Sequence, residues 1–306
     1  MKTLFVDRWE NGSKINFNPN ILLRNILYTP PLSGEKCSAI IRSVILDRKP
    51  AMVARFGSTE IKAVLYPQMP SAVRCLLRSK VFYSMKNLSG FFSISNDGIT
   101  KFSRLMIEDM KLLDVLGSWR VEEKLLLKHF PNAKRIDLKG LEPYYSIDPW
   151  SKALEGLRVL VVHPFDKTIR HQYYNNRERL FSDKRILPKF KELETVKAEQ
   201  TIAGNQSVYS DWFEALEAMK AAVDLKEYDV AILGCGAYGF PLAAHVKRQG
   251  KIAIHLGGGT QILFGIKGRR WDTHPVISSF YNDSWVRPSP EEIPIGANKV
   301  ESGCYW

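Results

Sequence analysis

Short apolar runs, each cut off by a glycine, a proline or a charge, alternate along this chain with stretches whose apolar residues recur at helical spacing. Ala51–Phe56 (AMVARF), Arg158–Val162 (RVLVV), Val230–Leu233 (VAIL) and Ile252–Leu256 (IAIHL) are too short for helices, which predicts buried strands. Lys134–Leu138 and the alternating Glu194–Gln200 predict two more. Helical patterns fill the intervals: Ser33–Leu46, Ile61–Leu65, Thr100–Leu116, Glu122–His129, Thr168–Phe181, Asp211–Val223 and Phe240–Arg248. Pro149-Trp150 opens a further one that Gly156 ends, and Leu88–Ile94 reads as a loop or a short strand. Ser58 or Thr59 is expected to cap the helix after the first strand, and Ser210 the one over Asp211–Val223.

Strands alternating with helices argue for an α/β fold, a single Rossmann-like parallel sheet flanked by helices over residues 36–306. Residues 1–35 carry turn signals (Asn11-Gly12, Asn18-Pro19, Pro30-Pro31, Ser33-Gly34) and read as an irregular N-terminal segment. The tail after Gly268, with Trp285, Tyr305 and Trp306, is too apolar to stay solvated and is expected to pack back on the domain.

The stretch Asp229–Gly268 concentrates the candidate chemistry. A strand runs into Gly234-Cys235-Gly236-Ala237-Tyr238-Gly239, then a helix, a second strand and the triple glycine Gly257-Gly258-Gly259. Such a loop bares backbone N–H groups at a helix N-terminus, where hydrogen bonds and the helix dipole both favour phosphate. The glycine spacing matches a dinucleotide fingerprint, yet a NAD site wants a carboxylate about 20 residues on. Here the second strand ends Ile254-His255-Leu256-Gly257. A nucleotide-diphosphate cradle and simple close packing of helix on strand both remain open. Cys235 sits where a helix dipole could lower its pKa, or it is a small buried filler.

The 306 residues hold 44 Lys and Arg against 32 Asp and Glu, a net charge of +12. That excess points to nucleic acid, an anionic membrane surface or phosphate-bearing small molecules. The cations are dispersed in small groups (Arg74/Arg78/Lys80, Lys134/Arg135, Lys267/Arg269/Arg270) with no nucleic-acid-binding motif; an enzyme acting on phosphate-bearing substrates at an anionic inner-membrane surface fits at least as well, and most of these residues also read as solvated faces. The four cysteines (Cys37, Cys75, Cys235, Cys304) are far apart, which fits reduced thiols. No apolar run approaches the roughly 18 residues of a membrane span. Leu4-Phe5-Val6 is interrupted by Asp7 and Arg8, so a cytoplasmic location is expected.

Arg55 closes the first strand and Glu60 lies in the first turn of the following helix, at a sheet edge where open α/β folds bind ligands. Glu142 also follows a strand, and His163-Pro164-Phe165 follows another; His163 is a diphosphate or sugar ligand, or a hydrogen-bonded structural residue.

The series R-F-G-x-x-E at 55–60, HPF at 163–165, GAYGFPLA at 236–243, HLGGGTQILFGIKGRRW at 255–271 and the closing NKVESGCYW resembles bacterial GT-D-type glycosyltransferases, more closely their galactofuranosyltransferase-like branch of O-antigen and capsule synthesis. The resemblance covers most of residues 50–306. It implies a UDP-sugar donor, with galactose or galactofuranose as the sugar, and a glycan or undecaprenyl-linked acceptor. Under it Glu60 is the expected general base with Glu142 in reserve, and Arg55 stabilises the leaving diphosphate. Donor-binding positions fall at Gly57, Ser58, His163, Arg177, Gly234, Gly236, Ala237, Tyr238, Gly239, His255, Gly257 and Gly258. The family's metal-binding D-x-E reads Ser58-Thr59-Glu60 here, so a Mn²⁺ or Mg²⁺ ion at Glu60 would need other oxygens. A Rossmann oxidoreductase and a non-catalytic module for anionic polymers are the rival readings.

Overall fold

The computed structural model of this protein describes residues 32–300 and 302–306. The expected irregular segment therefore lies, over residues 1–31, outside the described residues. Strands β1 (Ala51–Ala54), β2 (Val115–Ser118), β3 (Lys134–Asp137), β4 (Arg158–His163), β5 (Glu192–Lys197), β6 (Val230–Leu233) and β7 (Ile252–His255) form one sheet in the order β3-β2-β1-β7-β6-β4-β5. Every neighbouring pair is parallel. The fold is Rossmann-like α/β.

A parallel sheet must be covered on both faces, which is why the central strands are apolar at successive positions rather than at alternate ones. Their side chains divide by the two-residue period of a strand. Met52, Ala54, Leu160, Val162, Ala231 and Leu233 enter one core, and Val53, Val159, Val161, Val230 and Ile232 enter the other.

The connecting helices are, in chain order, α1 (Glu35–Leu46), α2 (Ser58–Leu65), α3 (Ser71–Leu88), α4 (Asn96–Met110), α5 (Leu138–Leu141), α6 (Asp166–Leu180), α7 (Trp212–Asp224), α8 (Gly239–Arg248) and α9 (Gly259–Leu263). The first core takes side chains from α2, α3, α4, α7 and α8. The second takes them from α1, α5, α6, α9 and the C-terminal tail. The tail does pack back: Trp285 and Trp306 are buried, and Trp285 Nε1 donates to the Leu180 carbonyl at 2.9 Å. Glu292 from this tail accepts from the backbone N–H of Lys167 at 2.8 Å and from the Thr168 hydroxyl, closing the N-terminus of α6.

Several local expectations are corrected. The helix expected over 100–116 stops at Met110, and Val115–Ser118 is instead β2, paired on both sides. Helix α3, with 18 residues, was not foreseen at all. The stretches at 122–129 and 150–156 are 3₁₀ turns, Val121–His129 and Trp150–Leu154, rather than α-helices. Gly57 occupies the N-cap of α2 without a side-chain bond, so neither Ser58 nor Thr59 caps it. Asp211 caps α7 by accepting from Phe213 and Glu214 N–H, while Ser210 binds the Glu214 carboxylate.

The chain reverses direction within the sheet between β4 and β6. The connection from β6 leads to β7 and the centre, whereas that from β4 leads out to edge strand β5. In open α/β sheets such a switch point opens a crevice at the carboxyl ends of the strands.

Candidate functional site

A cavity of about 770 Å³ lies there. It is within the range of about 300–1,000 Å³ typical of small-molecule sites. Its walls include residues at or just beyond the carboxyl end of every strand of the sheet: Arg55 and Gly57 after β1, Trp119 after β2, Asp137 on β3, His163 on β4, Glu199 after β5, Gly234 after β6 and His255 on β7. The RFG turn and the late glycine turn thus meet in one cleft, because β1 and β7 are direct neighbours with Val53 opposite Ile254.

Arg55 is held by the elements around it. Its guanidinium lies 4.9 Å from the Trp119 ring centre. Trp119 is fixed in turn by its Nε1, which donates to the Phe56 carbonyl at 2.8 Å. Buried Glu123 accepts from the Ser118 hydroxyl and from the backbone N–H groups of Trp119 and Arg120, setting the tip of β2. Gly257 sits beside Arg55 in the left-handed region at φ +63°, where a residue with a Cβ would be strained. Burial lowers the Arg55 pKa, and the charges of Glu142, Tyr305 and Glu60 act in the opposite direction.

Glu142 reaches the cavity from the β3 side. Asp137 caps α5, and Trp150 Nε1 binds the Leu141 carbonyl at 2.9 Å, so the segment is pinned on either side of the carboxylate. Glu142 is only 5% exposed and its Oε2 has no hydrogen-bond partner. Burial raises its pKa from an ordinary 4.5 to about 7, against the opposing effects of the Tyr144 hydroxyl and Arg55. A carboxyl poised near neutrality on a cavity wall is suited to proton transfer. Glu60 is the more exposed of the two, and its carboxylate folds back over the Gly57 Cα.

The two histidines are neutral. Burial lowers each to about 3. His163 Nδ1 accepts from the Phe165 N–H at 3.0 Å, which leaves its proton on Nε2. His255 Nδ1 is buried without a partner. An unpaired buried polar atom costs about 1–3 kcal/mol, and Glu142 Oε2 and His255 Nδ1 are both such atoms.

The glycine loop contributes Gly234, Gly236 and Ala237 to the wall. The Tyr238 ring stacks on Trp212 at 4.7 Å and serves mainly as a core anchor. Gly239 does not line the cavity. Its place is a close approach: a Cβ there would lie 2.3 Å from His255 Nε2. Gly239→Ala is expected to lower the unfolding free energy in urea titration by about 1–3 kcal/mol through overpacking. Parental stability would mean that the buried imidazole moves aside freely. Cys235 is buried and its pKa is pushed up, not down, so it is filler rather than an activated thiol.

Arg177 is displaced from the expected site. It lies eleven residues into α6, roughly 16 Å along a helix that leads away from the strand tips, and pairs with Glu178. Three other cations line the cavity, Arg55, Lys139 and, from the 255–271 motif, Arg270. The Arg270 guanidinium lies 4.8 Å from the Tyr305 ring centre, and the Arg270 backbone N–H donates to the Cys304 carbonyl at 3.0 Å. Trp119, Trp271 and Tyr305 also line the cavity and were not among the expected site residues. Gln261 Nε2 fastens the tail by donating to the Tyr305 carbonyl at 2.8 Å. Ser58, Gly258 and Glu60 line the cavity as expected. Among the described residues no group of three or more His, Cys, Asp or Glu gathers as a metal-ligand set, so an ion at Glu60 would draw its other oxygens from Ser58, water or substrate. No helix of the described residues is long and apolar enough to cross a membrane. No family model, curated protein or solved structure matches this chain.

Proposed function

We propose that the protein is a glycosyltransferase that moves a sugar, with galactose and galactofuranose as the first candidates, from a UDP-sugar to a hydroxyl of a glycan or undecaprenyl-linked acceptor in bacterial surface polysaccharide synthesis. The observation that carries this reading is the pairing, in one cavity at the strand tips, of two arginines with a buried carboxyl near neutrality. Transfer needs both. The bond between the anomeric carbon and the diphosphate oxygen breaks, and the leaving diphosphate keeps the electron pair. Arg55, Arg270 and the loop N–H groups at Cys235–Ala237 would stabilise that charge, the Gly234 N–H being taken by the Val162 carbonyl. The acceptor oxygen bonds to the anomeric carbon as its proton passes to Glu142, which must be ionised to take it. Glu142 is preferred to Glu60 as the base because it is the more buried carboxyl and burial raises its pKa to about 7. Trp119, Trp271 and Tyr305 add aromatic surface to the wall and carry the guanidinium groups of Arg55 and Arg270 beside it.

A thermal-shift series with UDP-galactose, UDP-galactofuranose, other sugar nucleotides and NAD(H), each with Mn²⁺ or EDTA, tests the proposal. A UDP-sugar at about a hundredfold excess over its Kd adds about 2.7 kcal/mol and should raise Tm by several degrees. A shift with NAD(H) and none with any sugar nucleotide would replace the transferase reading with an oxidoreductase one.

A further inference from the structure

Helix α3 (Ser71–Leu88, SAVRCLLRSKVFYSMKNL) is unlike the other long helices of the domain. Its buried residues, Val81 and Met85, both lie in the C-terminal half, and Leu77 alone touches the core before them. Residues 71–80 are exposed throughout, except for a partly buried Leu77. On this projecting end Leu76 is 83% exposed, Val73 38% and, one turn beyond Lys80, Tyr83 63%. Their spacing (73, 76, 80, 83) puts Val73, Leu76, Lys80 and Tyr83 on one stripe of the helix. Lys86 borders this stripe, Arg74 and Arg78 emerge on the other side of the helix, and the 18 residues include no Asp or Glu.

We infer that α3 docks this protein onto the surface of an anionic lipid bilayer, lying in the headgroup layer with Leu76, Val73 and Tyr83 toward the acyl chains. Exposed apolar side chains on a monomer surface are costly unless something covers them. The cover must also suit four cations without an acid among them, a combination that an anionic headgroup layer over an apolar interior supplies. Long basic side chains at an interface keep their charge in the headgroups while their stems lie along the apolar layer. An α-helix docked in this way rests on the membrane without crossing it, in agreement with the absence of a spanning helix among the described residues. Placement gives the docking a purpose. The C-terminal end of α3 runs directly into the cavity wall at Leu88, Ser89 and Gly90, so the docked helix sets the cavity mouth beside the lipid surface. That purpose rests on the lipid-linked acceptor proposed above; the docking surface itself does not.

Co-sedimentation with vesicles of phosphatidylcholine alone, and of phosphatidylcholine and phosphatidylglycerol in equal parts, tests the inference. The full chain should sediment with the anionic vesicles, stay in solution with the neutral ones, and be released by salt. Leu76→Glu, and separately Arg74→Glu with Lys80→Glu, should each weaken the partition about tenfold or more. These side chains are exposed, so the variants should melt as the parent does and keep its thermal shift with sugar nucleotides. Equal sedimentation of parent and variants, or no sedimentation of the parent, overturns the inference. Retention on heparin that depends on α3, without vesicle binding, also overturns it and assigns the face to an acidic macromolecule. Vesicle binding that depends on α3 in a protein indifferent to every sugar nucleotide upholds the docking surface and removes the transferase reading.

Discussion

Glu142→Gln should nearly abolish sugar transfer and, at neutral pH and above, make the protein more stable. As the group that accepts the acceptor's proton, Glu142 is expected to contribute about 10²–10⁴-fold in turnover. In the parent, turnover should rise with pH through about 7, where the buried carboxyl ionises, and then level off. The residual activity of the variant should lack that limb. The stability effect has the opposite sign. Burial raises the folded-state pKa from 4.5 to about 7, so the proton is bound more tightly in the folded chain than in the unfolded one. The resulting stabilisation is complete below pH 4.5 and is lost as pH climbs to 7, beyond which the folded chain holds an ionised carboxylate away from water. Urea titrations should therefore find parent and variant alike at low pH, with the variant ahead by about 3 kcal/mol at about pH 8. Full turnover in Glu142→Gln would return the base role to Glu60. Equal stability at both pH values would mean that water reaches the carboxylate.

Replacing Arg55 by Gln has the second-largest expected effect, and it reaches beyond affinity. Loss of a cation that faces a leaving diphosphate is expected to cost about 10²–10³-fold in transfer. Arg55 also holds the Glu142 pKa down. Without it, the ionisation limb of the pH–rate profile should move above 7. Arg55→Lys separates the two roles: it keeps the charge and loses the planar group that lies over Trp119. The lysine variant should hold the limb near 7 while recovering only part of the rate. A glutamine variant with unaltered UDP affinity and pH profile would place the diphosphate elsewhere in the cavity.

The sequence disclosed those parts of the fold whose local pattern agrees with their final environment. RVLVV, VAIL and IAIHL are apolar because both faces of a parallel strand are covered, and each is punctuated by glycine, proline or charge. The break between α4 and β2 is marked only by the charges of Lys111 and Asp114, which fit an exposed helix face equally well. Lys111–Asp114 has neither Gly nor Pro, and MKLLDVL continues the apolar spacing of the helix straight into the strand. Helix α3 has no clear helical signature because, in its projecting half, Val73 and Leu76 are exposed and only Leu77 packs against the core.

The site divides along similar lines. Arg55, Glu142, His163 and the glycine turns could be found because each follows a strand and parallel strands all end on one side. Arg270, Trp271 and Tyr305 come from the tail, and only the long-range bonds that fold the tail back bring them in. Arg177 shows the reverse error: a cation on the right helix, three turns too far along it.

The strand order has a consequence for how the polypeptide is made. β1 lies between β2 and β7, and Ala51 waits for Ile252 before its outer edge is closed. Until about four-fifths of the chain has left the ribosome, β1 and β4 each present a raw edge, because β6 and β7 are the strands that join the two halves. Contacts between residues so distant in sequence form slowly. The nascent N-terminal portion should therefore remain protease-sensitive and dependent on chaperones until the last two strands insert, and a chain stopped before β7 should aggregate rather than fold as a half-domain.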